Sequence, residues 1–211
     1  MDAQRTLRRH ISCVGIGLHS GNKVNLTLKP APADFGIRFR RTDLGNLEVP
    51  ATVHNLAGIQ LATGLAHNEV SVETVEHLLA ALVSLGVDNV IVELNSPEVP
   101  IMDGSAAPFI YLIQEAGVKK LAAHRKYLKI IRPIMISRGD KRIALYPSEH
   151  FKVTYSISYD HPLLRHQSRT LRITEESFAE EVARIARSAT GVFLADLLFP
   201  AQKSSIQSAA S

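Results

Sequence analysis

The stretch VSVETVEHLLAALVSLG, residues 70–86, decides how the first half of the chain is read. Val72, Val75, Leu78, Leu79, Leu82 and Leu85 recur at helical spacing, so one face is apolar. Ser71 is a good N-cap, Glu73 suits the positive end of a helix dipole, and Gly86 suits the C-terminal stop. The pattern predicts a helix that begins just after Ser71. In its middle stand an acid and an imidazole, Glu76 and His77. Neighbours on a helix point about 100° apart, so the pair can flank one small volume. A neutral imidazole can bind zinc, and an adjacent carboxylate can take a proton from a metal-bound water. The same dipeptide can equally be a solvated helix edge, because the second histidine of an H-E-x-x-H helix is absent.

Upstream the pattern changes to alternation. Residues 5–14 and 22–29 read as strands, and in NKVNLTLKP the residues Val24, Leu26 and Leu28 face a core. HSGN between them is a turn. GIRFRR is a third strand, and LEVPA is a short or edge strand limited by Pro50. Downstream, DNVIVEL reads as a mostly buried strand. PEVPIMDGSAAPFIYLIQEAG stays extended through Pro97 and Pro100, turns at Asp103-Gly104, and becomes a helix from about Ala106 to Ala116 that Ser105 caps. Strands return in YLKIIRPIMI, DKRIALYP and FKVTYSISY, and a second amphipathic helix is expected from Thr174 to about Arg187. Strands then helices, followed by strands then a helix, predict two α+β units. The expected domains are residues 1–124, an incomplete second unit at 125–198, and a small, polar, aperiodic tail at 199–211 that is expected to be disordered.

Composition narrows the function. The 211 residues carry a net charge of +4 with basic side chains scattered rather than massed, so no nucleic-acid partner is expected. The single cysteine, Cys13, excludes an intrachain disulfide and a multi-cysteine zinc knuckle. No apolar leader follows the charged start and no long apolar run exists, so the expected location is the cytoplasm with no membrane span. GIGLHSG lacks a P-loop lysine and does not open a helix, which leaves His19 as a turn histidine or a ligand. Asp103 is a turn residue or a support for a nearby site.

Four segments, GIGLHSGNKVNLTLKPAPADFGIRFRRTDL, TVEHLLAAL, LGVDNVIVELNSPEVPIMDGSAAPF and YDHPLLRHQ, occur in this order. Together they resemble the UDP-3-O-acyl-N-acetylglucosamine deacetylases, zinc amidohydrolases of lipid A synthesis in Gram-negative bacteria. The resemblance covers residues 5–196. It implies two α+β domains, each a mostly antiparallel sheet, with the helices packed between the sheets. It also implies a UDP-linked, 3-O-acylated glucosamine as substrate, acetate as product and Zn2+ as cofactor. His77 matches a zinc ligand of that family, Glu76 its general base, and Thr190 a residue that helps stabilise the oxyanion.

The chain also departs from that pattern. The family's other two zinc ligands are a histidine and an aspartate four residues on, and none of the nine histidines here has aspartate at that spacing. RSATGVFLAD has Gly191-Val192 where the family has Phe-Gly, and Gly58-Ile59 stands where Asp-Thr is usual. The resemblance therefore implies a truncated or altered C-terminus, poor zinc binding, little activity alone, and uncovered apolar faces prone to aggregation. His161 and His166 are the substitute ligands this sequence offers. The alternative is a non-catalytic remnant that binds a nucleotide-sugar or another subunit.

Overall fold

The computed structural model describes residues 2–58, 62–157 and 166–183. Thr190, His161, Ile59, the end of the second predicted helix and the predicted tail lie outside them. The described residues are mixed α and β, with several sheets and few helices, and they form two compact units.

The first unit holds residues 2–125 together with Ala183. Its strands are β1 (Ala3–Leu7), β2 (Ile11–Ile16), β3 (Lys23–Pro30), β4 (Ile37–Arg41), β5 (Leu47–Pro50), β6 (Leu56–Gly58), β7 (Gly64–His67), β8 (Val70–Val72), β9 (Val90–Leu94) and β10 (Val118–His124). Two helices, α1 (Glu76–Ser84) and α2 (Ala107–Ala116), complete it. Five strands make the main sheet in the order β2-β3-β9-β4-β5, antiparallel except where β4 runs beside β9. β6, β7 and β8 form a separate three-stranded sheet, and β1 pairs with β10 across more than a hundred residues.

Alternation decides the sheet's faces. Val24, Leu26 and Leu28 of β3, Val90, Val92 and Leu94 of β9, Phe39 of β4 and Val49 of β5 are all buried, as the period of two demands. The intervening positions carry charge. Lys29 pairs with Glu93 at 2.7 Å, Arg40 reaches both Glu48 at 2.7 Å and Glu93 at 3.2 Å, and Arg38 meets Glu48 at 3.4 Å. These cross-strand pairs fix the register of four neighbouring strands. The two helices pack on one another, and Leu78, Leu79 and Leu82 of α1 and Phe109, Ile110 and Ile113 of α2 are buried. A buried Leu or Phe contributes roughly 1.5–3 kcal/mol, so these two faces and the inward sheet row hold the unit together.

The predicted start of the first helix is wrong by four residues. Ser71 lies in β8, Thr74 turns left-handed with φ 59°, and α1 begins only at Glu76. A left-handed residue cannot continue a helix, so the apparent cap at Ser71 is overridden. Glu76 and His77 therefore open α1 instead of standing in its middle. α2 keeps its predicted span to within a residue, with Ser105 Oγ accepting from the Ala107 N–H at 3.2 Å and Gly117 following its end.

The second unit, Lys126–Val182, contains two hairpins. β11 (Ile134–Arg138) pairs with β12 (Lys141–Leu145), and β13 (Lys152–Ile157) pairs with β14 (Gln167–Arg172). Residues 127–133, predicted as strand, are not strand, because Pro133 removes a ladder N–H and β11 starts after it. Thr174 caps the following turn in a reciprocal box with Ser177. The segment then runs as a short turn, α3 (Glu175–Ser177), and a π-turn at Phe178–Val182. Leu128 and Ile131 are 91% and 81% exposed, so this unit carries apolar side chains that its own residues leave uncovered.

Candidate active site

Everything that builds the site lies in the first unit. The chain leaves β8 extended, turns at Thr74 and enters α1, where Val75 donates to the Thr63 carbonyl at 3.2 Å and accepts from the Leu79 N–H at 2.9 Å. This sets Glu76 beside the 62–64 segment. Glu76 is 8% exposed, and its Oε2 accepts from the Thr63 backbone N–H at 3.0 Å. Burial pushes its carboxyl above the usual carboxylate range, against the pull of its own backbone N–H, that of Thr63, and the charge of His19. The charge of Glu98 adds to the upward push. A carboxylate that favours holding a proton is what a general base in a shielded site needs.

His77 is 5% exposed. Burial pushes its imidazole below the ordinary histidine range, and the charge of Asp103 pulls the other way. The ring is thus uncharged near neutral pH, the state that can ligate a metal. Asp103 sits in the tight turn before α2. Its Oδ1 accepts from the Ser105 N–H at 2.9 Å and from the Ser105 hydroxyl at 2.8 Å. Met102, just before it, is left-handed with φ 56°. His19 is exposed in the turn between β2 and β3, close enough for its charge to act on Glu76. Four of the residues singled out from sequence therefore gather electrostatically in two pairs, Glu76 with His19 and His77 with Asp103. His166 is described and exposed in the second unit.

One residue escaped the sequence reading. Glu98 is 1% exposed, and three donors converge on it. The His19 N–H donates to Oε1 at 3.0 Å and to Oε2 at 3.2 Å, the Ser20 N–H to Oε2 at 2.8 Å, and the Thr74 hydroxyl to Oε1 at 3.0 Å. Burial alone would raise its proton affinity, but these hydrogen bonds, with the Ser20 side chain, hold the carboxyl below the usual range. The available signal was an acid between Pro97 and Pro100 in an otherwise apolar extended run.

Glu76, a buried carboxylate of raised proton affinity, thus stands beside His77, whose imidazole burial holds below the ordinary histidine range. The sequence matches the family described as UDP-3-O-acyl N-acetylglycosamine deacetylase over residues 4–204, and the chain belongs to that family. It is 48% identical over 187 residues to the UDP-3-O-acyl-N-acetylglucosamine deacetylase of Pseudomonas entomophila, covering 87% of this chain and 62% of that relative. The enzyme of the same name from Marinobacter nauticus gives the same identity and the same coverage. The chain thus spans 62% of the length of these relatives.

Proposed function

We propose that the chain carries the Glu76–His77 part of a zinc-dependent deacetylase centre. The reaction is hydrolysis of the N-acetyl group of a UDP-linked, 3-O-acylated glucosamine in lipid A biosynthesis, releasing acetate. The observation that carries this reading is the buried Glu76 carboxylate, of raised proton affinity, next to the uncharged His77 ring at the opening of α1. Family membership and the names of the relatives support it. The same reading carries the two-domain sandwich, the cytoplasmic location and the absence of a nucleic-acid partner. No helix among the described residues is long and apolar enough to cross a membrane.

His77 fits a zinc ligand by its burial and its neutrality. The described residues do not complete the set, because no group of three or more His, Cys, Asp and Glu among them could hold a metal. A catalytic zinc takes three protein ligands as a rule, and His77 is one of them in this reading. Glu76 takes a proton from the attacking water as its oxygen bonds to the acetyl carbon. The carbon–nitrogen bond then breaks, the proton passes to the departing amine, and acetate leaves. The Thr63 N–H holds the Glu76 carboxylate in place for both transfers. Thr190 is assigned to the oxyanion. With His77 the one zinc ligand assigned among the described residues, the chain alone is expected to hold zinc weakly and turn over little.

Zinc titration of the purified chain against a chromophoric chelator tests the assignment. The expected result is weak binding that His77→Ala weakens further and Glu76→Gln leaves unchanged. Zinc binding unaltered by His77→Ala would overturn the ligand role. Acetate release is then followed with the chain in excess over UDP-3-O-acyl-N-acetylglucosamine, and the expected slow release disappears in Glu76→Gln. The incomplete ligand set among the described residues favours a second reading, a non-catalytic remnant that binds the nucleotide-sugar or another subunit. Calorimetric binding of the substrate without any acetate would select it.

A further inference from the structure

Three separate pieces of backbone meet at Glu98. The extended run around it is tied to two other segments. Glu73 donates to the Pro97 carbonyl at 2.8 Å, Val99 donates to the Glu73 carbonyl at 3.0 Å, and Ile101 donates to the Ile16 carbonyl at 3.0 Å. This ladder gives residues 97–101 one orientation and aims the Glu98 side chain at the turn after β2. That turn is closed around the carboxylate. A Cβ on Gly17 would collide with Glu98 Oε2 and with Ser20 Oγ, so only glycine lets the backbone come this near. Two residues earlier, in β2, a Cβ on Gly15 would stand 2.7 Å from Pro100 Cβ, so the same close approach extends along β2.

A carboxylate has two oxygens and no donor, and here both oxygens are taken. Oε1 receives His19 and Thr74, while Oε2 receives Ser20 and a second approach from His19. Hydrogen bonds to a charged acceptor are about twice as strong as those between neutral groups. Such a bond offsets the strain of holding a β-branched Thr74 in the left-handed region. Thr74 in turn precedes Glu76 by two residues, and His19 is the neighbour whose charge acts on Glu76.

We propose that Glu98 is the positioning residue of this site. Its carboxylate is the shared acceptor that ties the His19 turn to the Thr74 turn, and so sets His19 against Glu76. The proposal deepens the deacetylase reading and rests on it for the importance of Glu76, but the geometric claim concerns this chain alone. Glu98 touches no reacting atom. It acts through the two turns.

The test uses isotope-labelled full chain without metal or substrate, so it stands apart from the outcome of the deacetylase reading. Glu98→Gln keeps the size of the side chain but presents one amide NH2 to a set of donors. Amide hydrogen exchange at His19 and Ser20 is expected to speed up by roughly tenfold or more, while exchange at Leu26 and Val92 in the core keeps its wild-type rate. Thr74→Val, a milder second variant, removes one donor and is expected to leave His19 and Ser20 protected. The coupling is read from the His19 ring resonances at fixed pH. Glu76→Gln is expected to shift them in the wild-type background and to shift them less than half as much in the Glu98→Gln background. Unchanged exchange at His19 and Ser20, a parallel loss of protection throughout the core, or an equal ring shift in both backgrounds would overturn the proposal.

Discussion

The backbone N–H of Thr63 lies 3.0 Å from Oε2 of Glu76, thirteen residues away and in a different segment. That bond fixes the acid at the opening of α1 while burial raises the cost of its charge. Glu76→Gln keeps an acceptor for Thr63 and removes the buried charge. The expected outcome near neutral pH is unchanged or higher stability, a gain of about 1 kcal/mol at most, which is roughly 2–4 °C in melting temperature for a chain of this size. Acetate release should fall by about 10²–10⁴-fold if Glu76 is the base. A melting temperature that drops by several degrees would mean the carboxylate is a structural anchor.

Glu98 gives the opposite sign. Its folded carboxyl binds a proton less readily than an ordinary glutamate, because hydrogen bonds from the His19 backbone, from Ser20 and from Thr74 outweigh the opposing push of burial. Stability from that shift is fully present above the ordinary glutamate value of 4.5 and is lost as pH falls through the depressed folded value. Urea unfolding of wild type should therefore show a loss in acid below about pH 4.5 that Glu98→Gln partly removes. Parallel acid profiles for the two proteins would show that the carboxylate is not held in its charged form.

β3, β4, β5 and β9 of the main sheet were legible because their cores obey a period of two that no long-range contact needs to enforce, whereas the single strand expected at 5–14 is two, β1 and β2, in different sheets. Val24, Leu26 and Leu28 are buried where alternation puts them. The start of α1 was not legible. Ser71 and Glu73 satisfy the local rules for a helix entrance, but Thr74 is turned left-handed by a hydroxyl bond to a residue 24 positions on. β10 was missed for a related reason, since its partner β1 lies at the other end of the unit. The three strands β6 to β8 hold three or four residues each, too few for a period to show. Within the site, Glu76, His77, Asp103 and His19 could be picked out by residue type. Glu98 could not, because its importance is a matter of burial and of donors contributed by the chain 24 and 79 residues before it.

Gly17→Ala tests the closeness of that turn. The added methyl meets the Glu98 carboxylate and the Ser20 side chain, and Glu98 cannot retreat without breaking its bonds. Overpacking of this kind costs roughly 1–3 kcal/mol. Gly58→Ala is the control, since a Cβ there meets nothing within 4 Å. Chemical denaturation should separate the two substitutions, with Gly58→Ala within about 0.5 kcal/mol of wild type. Equal and small effects would show that the turn around Glu98 is loose.

Two opposed effects meet at Thr74, and their magnitudes decide the outcome. Replacement by glycine relieves left-handed strain of roughly 1–2 kcal/mol. It also loses a hydrogen bond to a charged acceptor worth roughly 1.5–3 kcal/mol and adds backbone entropy of roughly 0.5–1 kcal/mol. The bond wins, so Thr74→Gly should be less stable than wild type by roughly 1–2 kcal/mol. Thr74→Val loses the same bond and keeps all the strain, because valine is also β-branched. It should be the least stable of the three, with glycine between valine and threonine in urea unfolding. Were glycine the most stable, strain would outweigh the Thr74–Glu98 bond, and the left-handed turn before Glu76 would be held by the packing around it, with Glu98 contributing little.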